Sequence, residues 1–216
     1  MLAVGLQVTT LTPFAYHSLM VQNGSATLPE LISDHAIAFG LAATLGWLRA
    51  SVVLPPKAYR THLSAMPYRA SVFTTAQPRL LPPLIRRLNL DGEAGFKRKI
   101  QDIAKKGNLK DFYQIQEIPQ GQVFTGALFG FDPFAYAQEI VKQQVDKLTL
   151  RVGLHRNGMV LLERCKEVKQ VRLNVATAAL FERTLPVERY CLYGLQLSRI
   201  YTLEDAAVEV EQWQSP

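Results

Sequence analysis

The sequence predicts an α+β fold with a ferredoxin-like or RRM-type antiparallel sheet and helices on one face. Three observations support this class: an alternating N-terminal segment, a long apolar helical segment after it, and an Asn-Gly hairpin followed by further strand-like segments. With 216 residues, 48% of them hydrophobic, the chain is long enough to bury a core as one domain. We therefore expect a single domain over residues 1–216, with a basic, thumb-like insertion at about 50–115.

The N-terminal elements are predicted from alternation and capping. Residues LAVGLQVTTL alternate roughly between apolar and polar and predict a strand that ends before Pro13. After a loop at Asn23-Gly24, Thr27 is predicted to cap a helix, because Glu30 stands three residues later and reaches the cap amide. The helix is expected to run through LISDHAIAFGLAATLG and to stop at Gly46.

The middle of the chain predicts less regular structure. Residues 50–90 are rich in proline, which favours edge strands and loops. A short helix is predicted from about Glu93 to Lys106, ended by Gly107-Asn108.

The strongest local signal is Asn157-Gly158 between two alternating runs, which predicts a β-hairpin. We expect Arg156 to pair with Met159. This register places on one face Leu150, Val152, Leu154, Leu161 and Cys165, and on the other Arg151, His155, Arg164 and Lys166. Further strands are predicted in VRLNVATAAL and RYCLYGLQLSRIYTL, before an acidic C-terminal segment at 204–213.

Charge is distributed unevenly along the chain. No acidic residue lies between Asp34 and Asp91, and residues 35–110 contain 13 basic and three acidic residues, whereas the remainder contains 11 and 15. The stretch FKRKIQDIAKKGNLK alone carries six positive charges and one negative charge. This asymmetry predicts a polyanionic partner, nucleic acid first and an anionic membrane second.

Several classes of protein are disfavoured. Cys165 and Cys191 form neither a disulfide framework nor a zinc motif. The N-terminus has no basic region typical of a signal peptide, and the longest apolar run is too short to span a bilayer. The motifs GxxxxGK[ST], GxGxxG after a strand, HExxH and GxSxG are missing from the sequence. We expect a soluble, cytoplasmic protein without a cofactor or metal and without a membrane partner.

Rings interleaved with cations predict an RNA-binding surface, because bases stack on rings while Lys and Arg contact phosphates. The alternative is that the rings are core residues of strands and the arginines are solvated. The predicted RNA-binding residues are Lys57, Tyr59, Arg60, His62, Tyr68, Arg69, Arg79, Arg86, Arg87, Lys97, Arg98, Lys99, Lys105, Lys106, Lys110, Arg151, His155 and Arg164.

No catalytic set is predicted. The histidines are scattered, and a metal-independent ribonuclease needs a base, an acid and a cation that converge on one phosphate. His62 or His155 beside arginines is the nearest approach to such a set. Asp34-His35 lies inside the predicted first helix, where we expect packing or a partner contact rather than a catalytic dyad.

The first strand, the loop, the helix in LPELISDHAIAFGLAATLG, the basic proline-rich middle and the closing strands together resemble a known family. The sequence is similar to the CRISPR-associated family 5 subunits, RAMP-type proteins of type I Cascade complexes, and most similar to the small type I-D version. The motif of the HxxAxxxALG kind corresponds to His35, Ala36, Ala38, Leu41 and Leu45-Gly46. The glycine-rich loop of many RAMP proteins is reduced here to Tyr193-Gly194-Leu195.

The resemblance implies a non-catalytic subunit that holds the 5′ handle of the crRNA with an inserted thumb-like element. It also implies that this subunit caps the backbone filament of family 7 subunits and contacts the large subunit; target DNA near the flanking motif is a further candidate partner. RNA cleavage would belong to a separate family 6 nuclease. Two alternatives stay open: a metal-independent RAMP endoribonuclease that uses His62, His155 or Tyr59 on precursor RNA, and a scaffold whose basic face docks on an acidic protein.

Overall fold

The computed structural model describes residues 1–15, 19–21, 24–47, 59–87, 112–153 and 158–213, and gives only the backbone at 19–21, 24–26, 85–87 and 112–114. Within these ranges the strands are β1 (Ala3–Thr10), β2 (Leu19–Val21), β3 (Gly24–Ala26), β4 (Leu31–Ile32), β5 (Arg69–Ala70), β6 (Phe73–Thr74), β7 (Leu84–Arg87), β8 (Phe112–Ile115), β9 (Val123–Phe129), β10 (Lys147–Val152), β11 (Gly158–Arg164), β12 (Gln170–Asn174), β13 (Val187–Leu192) and β14 (Leu195–Thr202). The helices are α1 (Asp34–Thr44), α2 (Tyr59–Ser64), α3 (Pro133–Val141), α4 (Val175–Leu180) and α5 (Leu203–Glu211).

The main sheet has seven strands in the order β10-β11-β1-β9-β6-β4, and β5 also pairs with β9. All of these pairs are antiparallel. The central order β11-β1-β9-β6, with α1 after β1 and α3 after β9, is that of a ferredoxin-like fold. The predicted fold class is confirmed.

The two faces of the main sheet are covered differently. Even-numbered residues such as Leu6 and Phe124 form one core with α1 and α3. Odd-numbered residues Ala127 and Phe129 belong to a second core with α4, α5 and β12. Because successive side chains of a strand point to opposite faces, the sheet is covered on both sides near the end of β9.

The C-terminal segment forms its own three-stranded antiparallel sheet, in the order β12-β14-β13. Its connection to the main sheet includes a bridge in which the Val72 amide donates to the carbonyl of Arg172 at 2.9 Å. The closing helix α5 is capped by Thr202, whose hydroxyl accepts from the Asp205 amide at 3.0 Å.

A four-stranded sheet, β2-β3-β8-β7, carries the ends of the most basic segment. In it, β7 and β8 are antiparallel, and the last pair of the ladder joins Arg87 to Phe112. The residues that flank 88–111, Arg87 and Phe112, therefore lie side by side. The predicted helix at 93–106 lies outside the described residues. Residues 69–74, within the predicted insertion, form β5 and β6 of the main sheet.

The predicted start of the first helix is wrong. Leu31 and Ile32 pair with β6 instead, and the helix begins at Asp34, where the Ser33 hydroxyl accepts from the Ala36 amide at 3.2 Å. Thr27 donates its hydroxyl to the Gln116 carbonyl at 2.7 Å, so it is not a cap. The predicted stop is confirmed, because the helix ends at Thr44 and Gly46 has φ of +76°.

The hairpin is confirmed, but its predicted register is wrong. Arg151 pairs with Met159 and Val152 with Gly158, so the connection is longer than an Asn-Gly turn. The buried face consists of Leu150, Val152, Val160 and Leu162. Leu161 lies on the other face, and Cys165 lies beyond the strand; Leu154 and Arg156 are outside the described residues.

The predicted strand in VRLNVATAAL is half correct. It is β12 as far as Asn174, whose side chain then caps α4 by accepting from the Ala176 amide at 3.1 Å. The segment RYCLYGLQLSRIYTL is a hairpin, β13 to β14. No helix in the described ranges is long and apolar enough to cross a bilayer.

Candidate nucleic-acid interface

A buried hydrogen-bond network lies where the start of α1 meets the C-terminal sheet. Asp34 is buried, and its carboxylate accepts from Asn174 Nδ2 at 2.8 Å and from the Thr177 hydroxyl. Asn174 Nδ2 also donates to the Gly194 carbonyl at 3.0 Å, and its Oδ1 accepts from the Gln196 amide at 3.0 Å. The network thus connects α1, α4 and the β13–β14 turn.

The same network orients His35. Thr177 Oγ1 lies 2.9 Å from His35 Nε2. Because the single Thr177 proton is donated to Asp34, its oxygen accepts from His35, which assigns the imidazole proton to Nε2. Thr177 is itself buried, so its hydroxyl is not accessible as a nucleophile.

Four rings form a cluster on this side of α1, here called the ring cluster: His35, Phe39, Tyr59 and His62. The rings of His35 and Tyr59 stack at 5.0 Å between centroids, with 30° between their planes. Phe39 contacts Tyr59 at 6.0 Å and His62 at 6.2 Å. Tyr59 is 46% exposed, so its ring is accessible for stacking.

Phe39 also lines a cleft of about 370 Å³ between α1 and the β10–β11 hairpin, here called the α1 cleft. Its walls contain no acidic residue and one cation, Arg151, which is exposed and has no ion pair among the described residues. Gly40 allows the close approach of the helix, because a Cβ there would lie 2.9 Å from the Arg151 carbonyl oxygen. The Thr44 hydroxyl donates to the Thr149 carbonyl at 2.9 Å and fixes the other end of α1.

Exposed rings beside a cleft with a cation and no carboxylate suit single-stranded nucleic acid. The rings offer stacking surfaces for bases, and the guanidinium offers a fork for a phosphate. In the described part of the chain no group of three or more His, Cys, Asp and Glu residues could hold a metal ion.

Two predicted RNA-binding residues are buried, and the prediction is wrong for them. Tyr68 lies in the core, where its hydroxyl donates to the Ala38 carbonyl at 2.7 Å and burial raises its pKa. Arg69 is 4% exposed; its Nη1 donates to the carbonyls of Leu63, Met66 and Tyr68 at 2.7 to 2.9 Å, and burial lowers its pKa. Its guanidinium also lies 4.5 Å from the ring centre of Phe181. Both side chains stabilise the fold and are inaccessible to a ligand.

The other predicted cations differ in their surroundings. Arg60 pairs with Glu182 at 2.8 Å, and Arg164 pairs with Asp132 at 2.8 Å while lying over Phe134. Arg79 is exposed. For Arg86 and Arg87 only the backbone is described, in β7. Outside the described residues lie Lys57, Lys97, Arg98, Lys99, Lys105, Lys106, Lys110 and His155.

Sequence reasoning placed Tyr59 and His62 on this surface and missed two partners in the ring cluster, His35 and Phe39. Their spacing of four residues on one helix was a usable signal, because such residues are neighbours on a helix surface. It also missed the exposed Tyr193, 89% accessible, in the β13–β14 turn that Asn174 anchors.

No protein-family model and no curated protein matches the sequence. A comparison with solved structures finds a chain in a structure described as the Type III-B Cmr-beta bound to cognate target RNA and AMPPnP, with a TM-score of 0.43 and 10% identity. The alignment covers 98% of this chain and 93% of that chain. A similarity of this degree does not assign the protein to a family or a function.

Proposed function

We propose that this protein is a non-catalytic RNA-binding subunit of a CRISPR effector complex of type I, in which it holds the 5′ handle of the crRNA. The observation that carries the proposal is the ring cluster with its exposed Tyr59 beside the α1 cleft, whose walls contain Phe39 and Arg151 and no acidic residue. This combination matches the stacked bases and phosphates of a single strand.

The basic segment at 88–111 supports the same function. The strands that flank it, β7 and β8, are paired, and Arg87 lies directly opposite Phe112. The residues 96–110 carry a net positive charge that favours an RNA backbone.

The sequence resemblance to family 5 subunits determines the finer proposal. It assigns the RNA as the 5′ handle, the complex as type I-D Cascade in the cytoplasm, and the protein partners as the family 7 backbone subunit and the large subunit. Contact with target DNA near the flanking motif belongs to the same proposal.

The test is the affinity for single-stranded RNA that carries the repeat-derived handle, measured by fluorescence anisotropy at several salt concentrations. We expect log Kd to rise linearly with log salt, with a slope of about 0.7 for each phosphate contacted. Tyr59→Ala should weaken binding roughly 5- to 150-fold, because one stacked base is lost. Tyr190→Ala, which removes an exposed tyrosine from β13, is the control. Binding that is indifferent to both salt and Tyr59 would contradict the proposal.

A second candidate is a metal-independent endoribonuclease. The observation that favours it is the hydrogen-bonded chain from Asp34 through Thr177 to His35 Nε2, which orients the imidazole within the ring cluster. Incubation with precursor repeat RNA in EDTA separates the two functions. Cleavage that is lost in His35→Ala supports the nuclease, whereas intact RNA supports the non-catalytic subunit.

A further inference from the structure

Whereas the α1 cleft lies beside β10 and β11, a second cleft, of about 350 Å³, lies between the end of β6 and the turn before β9. Its walls carry hydroxyl, amide and guanidinium groups and no acidic residue. The lining residues that matter below are Thr74, Thr75, Gln77, Arg79, Gln122 and Thr125.

The buried side chain of Gln122 forms hydrogen bonds with three residues that line this cleft. It is 2% exposed, and its Nε2 donates to the Gln77 carbonyl at 2.7 Å and to Thr75 Oγ1 at 3.2 Å. Since a carbonyl accepts only from the amino end of the amide, the Gln77 contact assigns the orientation of the group. Gln122 Oε1 is thereby directed to Arg79, whose Nε donates to it at 3.1 Å.

The bond to Gln122 uses only one of the five N–H groups of Arg79. Its terminal nitrogens have no ion pair among the described residues, and the side chain is exposed. A buried amide therefore holds the guanidinium through Nε, and among the described residues no ion pair occupies its terminal nitrogens. Such preorganisation lowers the entropy that an arginine loses when it binds an anion.

The threonines add donors beside this fork. Thr75 Oγ1 already accepts from Gln122 Nε2 and from the Gln77 amide at 3.3 Å, so its own proton is available to an acceptor in the cleft. Thr74 and Thr125 are directly paired across β6 and β9, so their side chains share one face of the sheet.

We propose that this cleft binds a phosphate group. A phosphate offers acceptor oxygens, and it fits a guanidinium fork with adjacent hydroxyl donors in a cleft whose lining contains no acidic residue. The ring cluster shares no residue with this cleft, so the site stands independently of the proposed function. The phosphate belongs either to an RNA backbone or to a free phosphate compound such as a nucleotide.

The experiment compares the full chain with Arg79→Gln, using two probes. The first probe is single-stranded RNA in the anisotropy assay, and the second is inorganic pyrophosphate in a thermal unfolding assay. Arg199→Gln is the matched control, because Arg199 is an exposed arginine on β14 without an ion pair among the described residues. Gln122→Met, which keeps the length of the side chain but loses its acceptor, tests the positioning role.

Two results support the site and identify the source of the phosphate. If Arg79→Gln weakens RNA binding roughly tenfold and lowers the salt slope by about 0.7, the phosphate belongs to the strand. If pyrophosphate raises the Tm of the unmodified chain but not that of Arg79→Gln, while RNA binding is the same in both, the ligand is a free phosphate compound. In either case Gln122→Met should reproduce part of the effect, and Arg199→Gln should not.

The site is overturned if Arg79→Gln behaves as the unmodified chain with both probes. The proposed function fails separately, when the unmodified chain does not bind RNA or when Tyr59→Ala has no effect. A pyrophosphate response without RNA binding would therefore retain the phosphate site and reject the RNA-binding subunit.

Discussion

At the scale of single residues, two Tyr-Arg pairs nine positions apart have opposite environments. Tyr59 and Arg60 lie on the surface, whereas Tyr68 and Arg69 are buried. The sequence around them does not distinguish the pairs, because the burial of the second comes from β5 pairing with β9, about 60 residues away. Ring-and-cation patterns in the sequence therefore do not separate exposed pairs from buried ones.

Arg69 makes a testable contribution to stability. Replacement of Arg69 by Leu removes one donor from each of three carbonyl oxygens, of which that of Leu63 also accepts from the Met66 amide; we expect the free energy of unfolding to fall by about 3 kcal/mol. Urea denaturation followed by circular dichroism measures this change. Arg60→Leu, which breaks an exposed ion pair with Glu182, should change it by less than about 1 kcal/mol. Equal effects of the two replacements would refute a structural role specific to Arg69.

At the scale of elements, alternation and Asn-Gly spacing correctly predicted β1 and the β10–β11 hairpin. Capping was predicted less well, because Thr27, Ser33 and Asn174 all have side chains that can cap. The choice among them depends on distant partners: Ile32 pairs with β6, and Asn174 bonds to Asp34. Asn174 caps α4 and also donates a hydrogen bond to Asp34 of α1, and such a double role is difficult to identify from spacing alone.

Asn174 tests this connection. We expect Asn174→Ala to lower the free energy of unfolding by about 2 to 4 kcal/mol, because it removes the cap of α4 and the Asn174 donor to Asp34 Oδ1 and to the Gly194 carbonyl, while Asp34 Oδ2 keeps the Thr177 hydroxyl. The comparison is Thr202→Ala, which removes the cap of α5 and should cost about 1 kcal/mol. Urea denaturation of the two variants measures both changes. A decrease in the free energy of unfolding for Asn174→Ala that is no larger than that for Thr202→Ala would count against a stabilising role of the network.

At the scale of the whole molecule, the predicted α+β class was correct because the order of elements restricts the topology strongly. The separate three-stranded C-terminal sheet was not predicted, since nothing local shows that β12 to β14 leave the main sheet. The site was predicted in part: Tyr59 and His62 were identified, whereas His35 was discounted because its partner Thr177 is 142 residues away.

The basic segment can be tested as a removable unit. Arg87 and Phe112 are directly paired, so an Asn-Gly turn in place of residues 88–111 should close the β7–β8 hairpin without strain. We expect the Tm to change by a few degrees at most and RNA affinity to fall at least about tenfold, with a shallower salt slope. Calorimetry and anisotropy on the same preparation give both values. A large loss of Tm would show that the segment belongs to the core, and unchanged affinity would remove it from the RNA interface.

The central position of β1 has a consequence for biosynthesis. Its partners β9 and β11 begin at Val123 and Gly158, so β1 is synthesised long before either of its neighbours. At roughly 5 to 20 residues per second, β1 waits about 10 to 30 s before both partners have been synthesised. Both edges of β1 are without their partners until β9 has been made, and the edge that faces β11 stays without its partner until the end of that interval. The nascent chain is therefore most dependent on chaperones before its second half has emerged.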